Sequence, residues 1–324
     1  MGRKTGKESG VDLLVLLVLI GVLVGGAFLV GRRSRPGAAV DSSVIQPRSV
    51  PAGLIRFQEL APVAIEGSRL RGLAVGPDGR IYVLSHFRVL VYEKSGEPVR
   101  HYELDQAPHC AAFGPDGTFY LGLGSRLGVL DLDTGELAEW RHLGEGAMVC
   151  SIAVGGTSLM AGDSGNRAVW VFGPDGKELA RIDNLKAEEG TGEAPSVHFD
   201  VAAHADGTFW ATDAGRHAVI HFSAAGKVLG RWGRQGQEIE AFGGCCNPAH
   251  LAVFPDGRVL AVEKKPDLVK VCHPDGRLDA VVAPPDAFIL RTFLADATVD
   301  GEGRVLVLDP KRSQVRIFVE NPAP

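Results

Sequence analysis

From Asn247 the chain reads NPAHLAVFPDGRVLAV, two short runs of alternating apolar residues separated by Pro-Asp-Gly. Alternation of period two on each side of a turn signal predicts a β-hairpin. The same pattern returns five more times: RGLAVGPDGRIYVL from Arg71, HCAAFGPDGTFYLG from His109, CSIAVGGTSLMAG from Cys150, FDVAAHADGTFWAT from Phe199 and LADATVDGEGRVLVL from Leu294. The glycines that close these turns are Gly79, Gly117, Gly156, Gly207, Gly257 and Gly303, spaced by 38 to 51 residues. A strand repeat of that length predicts the blades of a propeller.

Each unit runs on through a third strand and a second turn into a fourth strand, as in VLVYEKSGEPVRHY, GVLDLDTGELAEW, AVWVFGPDGKELARI, AVIHFSAAGKVLGRW and LVKVCHPDGRLDAVV. The second turns carry Gly96, Gly135, Gly176, Gly226 and Gly276. The sixth unit stops after its third strand, VRIFVE, at residue 320. An apolar stretch from Leu54 to Leu60 precedes the first unit and is predicted to supply the missing strand, which would close the ring and remove its free edges. The expected fold is all-β, a six-bladed propeller over residues 53–324.

The amino terminus breaks this pattern. From Leu13 to Val30 there is no charge, long enough to cross a bilayer as one helix. The predicted organisation is a short basic tail at 1–10, a transmembrane signal-anchor helix at 11–31, a linker at 32–52 and the propeller. Basic residues flank the span on both sides (Arg3, Lys4 and Lys7; Arg32, Arg33 and Arg35), so charge does not set the orientation. The leader also has the form of a secretion signal, with Gly25-Gly26-Ala27 as a small-residue cleavage site. The expectation is an uncleaved anchor with the propeller outside the cytoplasm. A polar insertion, KAEEGTGEAPS at 186–196, lengthens the connection between the third and fourth blades.

The repeats resemble the NHL-repeat propellers. The resemblance rests on Gly-Leu-Ala-Val followed by Ile81-Tyr82-Val83, on Asp163 with Asn166 and Arg167, on Asp213 with Arg216, and on Asp309 with Arg316-Ile317-Phe318. It covers residues 53–320, and Cys-Cys-Asn-Pro-x-His is similar to a bacterial subgroup of these repeats. It implies the fold, and a function drawn from binding scaffolds, lyases and relatives of hydrolases. No Trp-Asp pair closes a third strand, which argues against Trp-Asp-repeat propellers.

Composition narrows the partners. Of 324 residues, 45% are hydrophobic, enough for a large core, and 42 glycines suit a fold of tight turns. The formal net charge is -5 with acids and bases interleaved, so no basic stripe exists to track a phosphate backbone and nucleic acid is not an expected partner. The propeller is expected to be monomeric.

Chemistry is sought where the repeat is broken. Two residues ahead of the small residue of each first strand stand Gly72, Cys110, Ser151, Asp200, His250 and Asp296, where the resemblance implies glycine. First strands line the central channel, so these side chains should ring its mouth. His109, Cys150 and His198 lie just upstream of ring positions, and Cys245 and Cys246 occupy the loop delivering the fifth blade. Thiolate and imidazole are ligands for zinc, copper, iron or an iron–sulfur centre, with Cys245, Cys246 and His250 as the candidate set. The spacing lacks a Cys-x-x-Cys pair. Two structural alternatives stand beside a metal: a vicinal Cys245–Cys246 disulfide, and buried cysteines that only pack. Asp200, Asp296 and His250 are candidates to hold calcium or zinc, or to act as acid and base; channel groups bonded to water are the plainer reading. Asp163, Asp213, Glu263 and Asp309 recur at strand ends and are expected to hold turns, and Cys272 to pack. The function expected first is a membrane-tethered, non-catalytic scaffold binding a protein or small molecule at the mouth. Beside it stand a metal- or redox-carrying partner of a membrane electron-transfer complex and a metal-dependent lyase or hydrolase.

Overall fold

The computed structural model describes residues 48–183, 199–289 and 294–322. The proposed membrane segment, the 186–196 insertion and His198 lie outside them. Among the described residues no helix is long and apolar enough to cross a membrane.

Six antiparallel sheets form the six blades, five of them in chain order from inner to outer strand and the sixth completed by strands from the start of the propeller. The inner strands are Gly72–Val75, Cys110–Phe113, Val149–Gly155, Val201–Ala203, His250–Val253 and Asp296–Val299. Each packs against the next, and the sixth against the first, so the ring is closed. The first hairpin of a blade turns where the sequence places Pro-Asp-Gly. Gly79 adopts φ 79°, a conformation a side chain would strain, while Asp78 accepts the Arg80 N–H at 3.1 Å. Asp116, Asp206 and Asp256 do the same for Thr118, Thr208 and Arg258.

Second strands are buried along their whole length in five blades, and in the second blade all but Tyr120 is buried, because a neighbouring blade covers each face. That is why they read as unbroken apolar runs such as Ile81–Leu84 (IYVL) instead of alternating. The core is accordingly a ring of inter-blade clusters. Leu73 and Ile81 of the first blade pack with Leu306, Leu308 and Ile317 of the sixth. Leu251 and Val259 of the fifth pack with Trp210 and Val219 of the fourth.

Closure follows the predicted route with one difference. Phe57–Glu59 pairs antiparallel with Gln314–Glu320, Phe57 opposite Glu320 and Glu59 opposite Phe318. Leu54 falls in a 3-10 turn, Ala52–Leu54, ahead of that strand. A second short strand, Val63–Ala64, pairs further along Gln314–Glu320, after Pro62 has interrupted the ladder. Arg316 holds the closure by a two-pronged ion pair to Glu59, both bonds 2.7 Å.

Upstream of the closing strand, Arg48 reaches into the fifth blade. Its guanidinium pairs with Glu263 and donates to the Glu238 and Ala241 carbonyls, each at 3.1 Å. Lys270 lies 2.9 Å from the other oxygen of Glu263 and donates to Ile239 and Ala241 carbonyls at 2.9 and 2.7 Å. Glu263 and Lys270 are wholly buried.

Candidate functional site at the channel mouth

The predicted ring exists. Gly72, Cys110, Ser151, His250 and Asp296 lie opposite Leu84, Gly122, Gly162, Val262 and Leu308 of their own second strands. Asp200 bonds Thr212 at the same level: its N–H donates to Thr212 Oγ1 at 2.8 Å and its carbonyl accepts the Thr212 N–H at 2.9 Å. A cavity of about 270 Å³ opens inside the inner strands. Arg71, His109, Cys110, Cys150, Ser151, Asp200, His250 and Asp296 line its polar end, and apolar residues such as Val75, Val154 and Val253 line the remainder.

The ring does structural work that alternation along a strand cannot reveal. Ser151 Oγ accepts the N–H of Val201 at 3.1 Å, Asp200 Oδ2 accepts that of Leu251 at 2.7 Å and Asp296 Oδ2 accepts that of Leu73 at 2.9 Å. In each case a ring side chain holds the inner strand of the following blade, one residue past its own ring position. Ser151 also donates to Asp200 Oδ1, which the Val201 N–H reaches at 3.0 Å, and Asp296 Oδ1 accepts the Ala297 N–H at 2.8 Å. Water alone does not account for these acids.

His250 stands between the two carboxyls. Its Nδ1 is 3.7 Å from Asp200 Oδ2 and 3.9 Å from Asp296 Oδ1. Burial lowers the imidazole to about 4, against a hydrogen bond to the Leu294 backbone that raises it, and Lys264 lowers it further. A neutral ring at those distances makes contacts, not ion pairs. Burial pushes Asp200 up to about 6 despite its hydrogen bonds from Ser151, Leu251 and Val201. Burial, and then the charge of Asp200, push Asp296 up to about 8. Both carboxyls of the cluster therefore hold a proton more tightly than a free carboxyl, beside an imidazole that burial keeps neutral at pH 7. The side chains remain 17%, 11% and 22% exposed for His250, Asp200 and Asp296.

The cysteines separate into different environments. Cys110 packs its sulfur against Gly122, where a side chain would collide with it, and burial raises its thiol well above the usual range. Cys150 donates to the Phe199 carbonyl at 2.9 Å and the Gly162 carbonyl at 3.4 Å, and burial pushes it up to about 12. Thiols held in their neutral form are weak ligands and weak nucleophiles. Cys272 is 1% exposed and packs as expected. Cys245 and Cys246 do not line the cavity, Cys245 being exposed and Cys246 half-buried. Among the described residues no three His, Cys, Asp or Glu side chains are grouped to hold a metal ion, the set Cys245, Cys246 and His250 included.

The strand-end acids hold turns, with one exception. Asp163 accepts N–H groups of Met148 and Asn166 at 2.9 and 3.1 Å, and Asp309 those of Lys311 and Arg312 at 3.1 and 3.2 Å. Asp213 pairs with Arg231 at 2.7 Å and Arg216 at 3.3 Å. Glu263 instead binds Arg48, Lys270 and the Gly243 N–H. Sequence reasoning passed over Arg71, whose Nη1 is 3.4 Å from His109 Nδ1. The signal was available: Arg71 precedes Gly72 as His109 precedes Cys110 and Cys150 precedes Ser151. Lys264, whose charge acts on His250 from just beyond the end of Val259–Glu263, had no such signal.

Fold and site together define a six-bladed β-propeller with a polar, proton-retaining channel mouth. Among solved structures, a protein of unknown function from Bacteroides thetaiotaomicron is similar over 85% of this chain and 75% of its own, at 16% identity and a TM-score of 0.60. A streptogramin B lyase matches over 82% and 98%, at 12% identity and a TM-score of 0.58. The WD40 propeller domain of Doa1 matches over 81% and 96%, at 14% identity and a TM-score of 0.55. At such identities the likeness is one of fold. No family model matches the chain, and no curated protein matches it.

Proposed function

We propose that this protein is a non-catalytic binding propeller of the NHL-repeat type, tethered to a membrane from Leu13 to Val30 with the propeller on the extracytoplasmic side. Its ligand, a small molecule or a side chain of a protein partner, enters the polar end of the channel. One observation carries the reading: Ser151, Asp200 and Asp296 are each engaged by a backbone N–H of the following blade. The rim is thereby rigid before any ligand arrives, around a cavity of about 270 Å³. A preformed concave site with a few fixed polar groups is what selective binding needs. The imidazole of His250 and the Asp296 carboxyl add two polar groups that an entering ligand would meet.

A lyase is the second reading, favoured by an imidazole, that of His250, lining the channel beside two carboxyls. A histidine-to-alanine variant of the similar virginiamycin B lyase from Staphylococcus aureus is described as catalytically inactive, in a structure with quinupristin. The test separates the two. The full-length protein and its His250→Gln variant are incubated with extracts of the source cells and with quinupristin, and retained and converted species are read by mass spectrometry. A compound retained unchanged by the parent and bound about tenfold more weakly by the variant supports binding. Conversion of quinupristin, or of the retained compound, that requires His250 would replace binding with the lyase reading.

A further inference from the structure

The two sides of the channel mouth differ in charge. In a closed ring of six blades the first stands opposite the fourth and the second opposite the fifth. Asp200, His250 and Asp296 mark the fourth, fifth and sixth blades, whereas Arg71 and His109 line the same cavity from the first and second. A ligand in the mouth therefore has acids on one side and a guanidinium on the other.

Arg71 is half-buried and has no acid to balance it. Among the described residues its only side-chain partner is His109, whose Nδ1 lies 3.4 Å from its Nη1. Elsewhere in the propeller arginines meet carboxylates: Arg258 reaches Glu320 and Arg316 reaches Glu59, both at 2.7 Å. Asp296, across the seam from Arg71, instead accepts the Leu73 and Ala297 N–H groups. Burial lowers the His109 imidazole and the charge of Arg71 lowers it further, so the ring is neutral and leaves the guanidinium without a counter-charge. Accepting the Arg71 N–H at Nδ1 places the ring proton on Nε2, a second donor beside the guanidinium.

Arg69 repeats the arrangement two residues earlier. Its exposed guanidinium lies 3.3 Å from His86 Nε2 by its Nη1, again an imidazole in place of an acid. The entry to the first blade thus presents two guanidiniums that no carboxylate balances among the described residues, Arg71 in the cavity wall and Arg69 outside it.

The planar fork of an arginine matches a carboxylate, which accepts two parallel N–H bonds. A phosphate group near neutral pH carries close to two negative charges, which Asp200 and Asp296 would repel across a cavity of about 270 Å³. A carboxylate carries one. We propose that the channel ligand is a small carboxylic acid bound as its anion, the carboxylate held by Arg71 and His109 and the carbon chain extending along Val75, Val154 and Val253. This rests on the binding reading and names the chemistry of its ligand. Arg69 draws the anion toward the mouth, and Arg71 receives it.

The full-length chain in detergent is titrated with sodium butyrate and with butyramide, its neutral isostere, both read by saturation-transfer difference NMR, and with inorganic phosphate, read by phosphorus line width. Butyrate is expected to saturate the protein with a dissociation constant on the order of 1–10 mM, as its few atoms permit, and butyramide to bind about tenfold more weakly. Arg71→Gln loses about tenfold for butyrate and nothing for butyramide, and Arg71→Lys, which keeps the charge without the fork, loses about threefold. Circular dichroism checks that each variant keeps its sheet content, and Arg71→Lys carries the test if Arg71→Gln does not fold. Failure of butyrate to saturate the parent, butyramide binding as tightly, phosphate binding more tightly, or a folded Arg71 variant binding butyrate like the parent would each overturn the proposal. A compound retained from cell extracts that carries no acid group would leave the binding propeller standing and overturn its carboxylate chemistry. Butyrate held through Arg71 while the retained compound is converted would do the reverse.

Discussion

Asp296 is a carboxyl that two backbone N–H groups should favour as an anion, yet burial and the neighbouring Asp200 outweigh them and raise it to about 8. Its folded-state value lies above the unfolded one, near 4, so the folded chain holds a proton that the unfolded chain has released. Stability therefore falls as pH rises from about 4 through about 8 and levels beyond. His250, lowered to about 4, acts oppositely, but only below about pH 6.5, where the unfolded imidazole begins to charge. From pH 6.5 to 8.5 the slope belongs to the carboxyls, and thermal midpoints of the parent should fall relative to those of Asp296→Asn. Parallel curves for the two proteins would refute the assignment of the proton. Glu263 presents the reverse case, one anion between two buried cations, Arg48 and Lys270. Glu263→Gln leaves both without a counter-charge and should lower unfolding stability by about 3–5 kcal/mol, measured by urea denaturation. A loss below about 1 kcal/mol would mean that water or backbone carbonyls already satisfy the pair.

At the level of elements, the hairpins and their order were legible because alternation and Pro-Asp-Gly turns are local signals, and the second strands because burial on both faces leaves them mostly apolar, with acids such as Glu263 and Asp309 only at their ends. The ring was legible for a related reason: Cys110, Asp200, His250 and Asp296 each stand seven residues before their turn glycine, and Ser151, whose hairpin is shorter, follows from its small residue Ala153. What those side chains do was not legible. The bond from Asp296 Oδ2 to the Leu73 N–H joins residues at opposite ends of the propeller chain, and nothing in either segment refers to the other. The cysteines illustrate the same limit. Cys150 and Cys245 look alike in sequence, but one donates to two backbone carbonyls beside the channel while the other is exposed on a loop outside it. Arg48, in a segment read as linker, owes its role to Glu263 on a strand more than two hundred residues away.

The whole molecule depends on where its ends meet. A chain beginning at residue 61 lacks Phe57–Glu59 and leaves the outer edge of Gln314–Glu320 without its partner over Phe318–Glu320. Such an edge is a template for pairing between copies. The truncated protein should elute as dimers or larger species in size-exclusion chromatography, while the same chain begun at residue 48 stays monomeric; a monomeric truncated chain would show that the short pairing of Val63–Ala64 suffices. Arg48 adds something that stability alone does not describe. It is fastened to the fifth blade nine residues ahead of Phe57, so a pull along the chain from the amino-terminal side loads the Arg48–Glu263 pair and its two carbonyl contacts before it can reach the closing strand. The ring seam is in this sense strain-relieved, like a cable clamped just short of its connector, and a tug from that side is borne by one blade's interior and not by the joint that keeps the propeller round.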